Sequence, residues 1–160
     1  MTTLLKILHV LAAMLLLGNL LMAPFWRKRM AIIMGGPQAR AVANRTVRVA
    51  DLMFTLPGWV ITLITGVIVA INEGFFARNE GPARKAWLHV SLVLFLIWVV
   101  LWHVSVLRAR KAMITRADEA AASGQTPAEL ARHEQQWAQW SYIAAAVAIV
   151  MLILMISQPF

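Results

Sequence analysis

Two histidines stand inside long apolar runs at what should be the same depth. His9 lies one to two turns into the first run, and His89 lies near the start of the third. An ionisable side chain within a membrane span is costly, so each is a candidate site by default. Two imidazoles at one level on neighbouring helices could hold a haem iron between them. The plainer alternative for His9 is a hydrogen bond to another helix, and for His89 an interfacial place beside Trp87. His103 follows His89 by fourteen residues. At ~1.5 Å per residue that is about 21 Å along one helix, with nearly the same facing. A second haem at the far end would need another ligand there, and Met53 is the only sensible one. Packing of His103 with Trp98 and Trp102 is the simpler account. His133, among Arg132, Glu134 and Gln136, reads as part of a solvated face.

The elements that must position these residues are transmembrane helices. The chain has 160 residues, 61% of them hydrophobic, and a mean hydropathy of +0.70. A span needs about 20 mostly apolar residues. Leu4–Trp26, Leu52–Ile71, Trp87–Leu107 and Ser141–Ile156 qualify, the last extended by Trp137 and Trp140 at the interface. The connections leave no room for a soluble domain, so the expected fold is all-α: one polytopic domain over 1–160, a four-helix up-down bundle with helical cytoplasmic extensions.

The formal charge of +8 would point to nucleic acid in a soluble protein. Here the positive-inside rule explains it, and no nucleic-acid partner is expected. The first connection carries Arg27, Lys28, Arg29, Arg40, Arg45 and Arg48, and the third carries Arg108, Arg110, Lys111, Arg116 and Arg132; the other side has Lys6, Arg78, Arg84 and Lys85. Both basic tips are therefore expected in the cytoplasm, with both termini outside, across a bacterial inner membrane. There is no cysteine, which excludes disulfides, thiolate metal sites and covalent c-type haem. Lys6 before an apolar run is signal-like, but the run is too long and Arg27-Lys28-Arg29 stops it, so it reads as a retained span.

Gly35-Gly36-Pro37 is the first break, so helix one should run to about Met34, and Gln38–Asp51 should already be helical. Ser123-Gly124 should end a helix begun near Ala83. Thr126-Pro127-Ala128-Glu129 has the pattern of a capped helix start. The loop 72–86 carries Phe75, Phe76 and Pro82, for the lipid surface or the bundle's outer mouth. In span two Gly58, Thr62 and Gly66 fall four apart, a spacing that admits a neighbouring backbone or a flat cofactor. Pro57 should bend this helix.

Asn19 should bond an adjacent helix, and Arg27, Arg45, Arg48 and Arg108 should meet lipid phosphates or haem propionates. There is no phosphate loop, nucleophile elbow or His-Glu-x-x-His pattern. Asp51 is placed at a helix start, so no carboxylate is expected deep in a span and a proton relay is disfavoured.

These residues carry a resemblance. Leu4-Leu5-Lys6-Ile7-Leu8-His9-Val10 with Gly18 and Pro24, the stretch Asp51–Ala70, Trp87-Leu88-His89 and the Gln158-Pro159-Phe160 ending resemble HemJ-type membrane protoporphyrinogen oxidases. Thr55-Leu56-Pro57-Gly58, Trp87–Leu92 and the Leu152–Phe160 tail are similar to a sister group of predicted bacterial integral membrane proteins without assigned activity, itself distantly similar to copper-resistance D-type proteins. The resemblance implies His9 as a haem ligand, with His89 as replacement partner. The oxidases place a lysine where this chain has Ser91, and a hydroxyl supplies neither the charge nor a strong iron ligand. The expectation is a membrane b-type haem redox protein, with His9, His89, Gly58, Thr62 and Gly66 around haem b. It would oxidise a porphyrinogen or exchange electrons with a quinone or redox protein. The alternative is a cofactor-free membrane subunit that binds protein partners, lipid or a small apolar ligand, as a homo-oligomer or within a complex.

Overall fold

The computed structural model describes residues 2–74, 86–125 and 128–157. They form four helical rods, each long and apolar enough to cross a membrane. Rod one is α1 (Thr2–Met34). Rod two is α2 (Gly36–Ala50) and α3 (Leu56–Asn72), joined by a π-helical turn at Asp51–Thr55. Rod three is α4 (Ala86–Leu101) and α5 (Leu107–Ser123), joined by a second such turn at Trp102–Val106. Rod four is α6 (Ala128–Ser157).

Local chemistry explains the breaks. Gly35 and Gly36 have φ of 68° and 76°, a left-handed conformation that side chains with a Cβ resist, and Pro37 follows in the first turn of α2. Gly124, at φ 69°, closes α5 in the same way. Pro57 has no N–H for the carbonyl four residues back, and its ring crowds that carbonyl. The wide turn just before it relieves both, with the Leu56 amide bonded to Asp51, five residues back. In the other wide turn, the His103 imidazole donates to the Val99 carbonyl at 2.9 Å. The loop phenylalanines, Pro82, the Thr126-Pro127 start and the terminal Gln158-Pro159-Phe160 lie outside the described residues.

The rods pack up-down-up-down around Leu16, Leu20, Phe95, Trp98, Trp102, Val106, Met113 and Trp137. Trp137 is buried in the bundle core, and Trp98 donates its indole N–H to the Ala144 carbonyl of α6 at 3.0 Å. In the basic half the ring of helices is closed: α1 lies on α2, α2 on α5, α5 on α6, and α6 on α1. Ala41, Ala117, Ala120 and Leu130 fill that end; the small side chains of the three alanines let the backbones come close. In the other half α1 packs on α3 and α6, and α6 on α4, but α4 makes no close backbone approach to α1 or α3 among the described residues.

Candidate functional site

His9 points across α1 toward α3. Its Nδ1 lies 3.1 Å from Thr65 Oγ1, and that hydroxyl already donates to the Ile61 carbonyl at 2.6 Å. The imidazole is therefore the donor, and in its neutral form the lone pair lies on Nε2. Gly66 makes room for the ring: a Cβ there would lie 2.8 Å from His9 Cε1. Gly58 admits the middle of α1, where a Cβ would lie 3.1 Å from the Leu16 backbone nitrogen. Thr62 is buried between them with an unpartnered hydroxyl. The Gly58–Thr62–Gly66 face of α3 is occupied by α1 and the His9 ring.

His89 stands elsewhere. The buried stripe of α4 is Trp87, Leu88, Ser91, Phe95 and Trp98, and His89 is exposed. Residues two apart on an α-helix point about 200° away from each other, so Ser91 faces the core when His89 does not. Ser91 is 1% exposed, and its hydroxyl has no partner. His103, fourteen residues on, is exposed like His89 and makes edge contacts with the rings of Trp102 and Trp59. Met53 is 63% exposed. The structure brings His9 together with Thr65 and Gly66. It does not bring α1 and α4 close, and among the described residues no group of three or more His, Cys, Asp or Glu could hold a metal ion.

The strongest polar feature lies lower in the bundle. Asp51 is not at a helix start: it sits inside rod two, buried, at the π-helical turn. Its carboxylate is paired with Arg110 of α5 and accepts from Thr55 at 2.9 Å and from the Asn19 amide at 3.1 Å. Asn19 also donates to Thr55 at 2.7 Å. One carboxylate thus ties rods one, two and three. A second node ties rod four: Glu134 accepts from Arg27 at 3.0 Å and Arg40 at 2.9 Å, with Asn44 beside them at 3.4 Å. Charges in such surroundings persist only when paired. Arg45 pairs instead with Asp118 in the open at 3.0 Å, and Lys6 pairs with Glu73 at the opposite end at 2.8 Å. Sequence reading found Asn19 but not its partners Asp51 and Thr55, which stand 32 and 36 positions away in the chain.

Beside both nodes, α1 and the α2 end of rod two separate around a lateral groove of about 510 Å³. Gly18, Ala43 and Ala50 leave it room, Met14, Met22 and Trp26 make it apolar, and Asn19, Arg27 and Thr46 are its polar residues, the Thr46 hydroxyl being bonded to the Val42 carbonyl. Met14, Met22 and Trp26 are exposed, so the groove opens sideways, where lipid chains lie. A Cβ on Gly18 would meet nothing within 4 Å.

A family model described as "Predicted integral membrane protein (DUF2269)" matches residues 3–159. No curated protein and no solved structure matches the chain.

Proposed function

The chain belongs to the DUF2269 family of predicted integral membrane proteins, and we propose that it works there as a cofactor-free binding subunit that takes an amphiphilic ligand from the bilayer. The observation that carries this reading is the lateral groove between α1 and α2, apolar along its length and polar at Asn19 and Arg27. Ligand sites are concave and mostly apolar, with a few placed polar groups. We place the basic tips in the cytoplasm of a bacterial cell, because the charge bias of the connections favours that side. The test is Gly18→Leu, which puts a branched side chain into the groove at a position where a Cβ meets nothing within 4 Å. Protein purified in mild detergent should carry bound amphiphile that this variant loses; equal retention by both overturns the reading.

A second reading, a b-type haem protein, draws support from His9. Its Nδ1 is held by Thr65, the kind of second bond that orients a metal-binding imidazole. The fit stops there. The ring is pressed onto Gly66, and His89, on α4, is exposed on a helix that α1 does not closely approach. A paired-imidazole site within one chain does not follow from this arrangement, and Ser91 in place of the oxidases' lysine weakens the porphyrinogen version. Protein from haem-replete cells should give a flat reduced-minus-oxidised visible spectrum. A b-type band abolished by His9→Ala would establish the haem reading instead.

A further inference from the structure

Resting on the groove reading, we infer that the ligand is an anionic phospholipid of the leaflet on the basic side, its acyl chain along α1 and its phosphate at Arg27. Three observations converge. Arg27 is 8% exposed, lines the groove, and has an Nε–H without a partner. That nitrogen is itself covered, and a buried donor left unpaired costs free energy that an acceptor recovers once the guanidinium turns toward the groove. The charge count at this node is also uneven. Two guanidiniums, Arg27 and Arg40, share the single carboxylate of Glu134, so the node carries one positive charge in excess. An anion neutralises it, and a zwitterion or neutral molecule does so poorly.

Length gives the third. The groove's wall on α1 runs from Met14 to Arg27 and a turn beyond, to Met30. The thirteen residues from Met14 to Arg27 span about 20 Å at ~1.5 Å each, close to half of a bilayer ~40–45 Å thick with its headgroups. One leaflet's acyl chain therefore fits between mid-membrane and the arginine. Lys28 and Arg29, both exposed, follow directly, at the level where anionic headgroups attract basic residues.

The experiment is native mass spectrometry of the full chain in detergent, titrated separately with dioleoyl phosphatidylglycerol and dioleoyl phosphatidylcholine. The expected result is a preference for the glycerol lipid of at least about tenfold. Gly18→Leu should abolish binding of that lipid without lowering the lipid-free unfolding midpoint. The variant Arg27→Gln, in which Arg40 still pairs with Glu134 so that the carboxylate keeps a partner and the excess charge is gone, should keep binding but lose the preference. Equal binding of the two lipids, both lost in Gly18→Leu, overturns the anionic ligand and leaves the groove reading standing. Equal binding by wild type and Gly18→Leu overturns both. Inorganic phosphate that protects wild type from unfolding as well as the glycerol lipid does would assign Arg27 to a free anion and overturn the lipid.

Discussion

Gly66 of α3 lies under the imidazole of His9, so close that a methyl group there would sit 2.8 Å from Cε1. The ring is held in place by Thr65 at 3.1 Å. Gly66→Ala must therefore swing the ring away and break that bond, at a cost of about 1–2 kcal/mol. His9→Ala removes the obstruction. In that background Gly66→Ala should be neutral or stabilising, a reversal of sign that a thermal-unfolding cycle in detergent reads directly. Equal effects in both backgrounds would mean that the ring does not pack there.

Asp51 and Arg110 stand 59 positions apart and join the two hairpins through one buried carboxylate. Removing one partner strands the other: Arg110→Met should cost about 3–5 kcal/mol. Asp51→Leu together with Arg110→Met should recover most of that, because the apolar replacement leaves no orphaned charge. The exposed Arg45–Asp118 pair is the control, and Arg45→Ala should change stability by less than about 1 kcal/mol. Unfolding midpoints in one detergent measure all three.

Helix existence, the Met34 and Ser123 breaks and the up-down order were legible because they depend on local residue types. Gly35-Gly36-Pro37 and Ser123-Gly124 stop a helix in any surroundings. Facing was less legible. α4 is apolar almost all round, since lipid and core are equally oily, so no polar side marks its outside. The depth of His89 followed from helix direction, but its rotation is fixed by Trp87, Ser91, Phe95 and Trp98 packing inward. Asp51 was misread for a related reason. Its Asn19 and Arg110 partners come from other rods, and their axial register is set by tertiary packing. The contact of His9 with Gly66 was not legible, although both residues stood out by type, and the groove at Asn19 and Arg27 depends on how α1 and α2 separate, which no local pattern records.

Two glycines at first sight alike should behave oppositely. Gly58 is closed against the Leu16 backbone, with N and Cα at 3.1 and 3.2 Å from a built Cβ, and backbone cannot yield without moving α1. Gly58→Ala should cost about 1–3 kcal/mol. Gly18 faces the open groove, and Gly18→Ala should be neutral or stabilise by up to ~1 kcal/mol through helix propensity alone. The difference between the two unfolding midpoints is the readout, and similar losses at both would show that the groove is closed in solution.

The orientation can be read with single cysteines, because the chain has none of its own. Gln125 is an exposed residue at the basic end, just past the close of α5, and Asn72 is an exposed residue at the opposite end of rod two. Neither side chain packs into the core, so Gln125→Cys and Asn72→Cys should fold as the parent does. With eleven basic residues on one side and four on the other, the positive-inside rule puts Gln125 in the cytoplasm. A membrane-impermeant maleimide applied to intact cells should then label Asn72→Cys and spare Gln125→Cys, with the pattern exchanged in inverted vesicles. Labelling of Gln125→Cys in intact cells would turn the bundle over, and the groove's arginine would then address the outer leaflet.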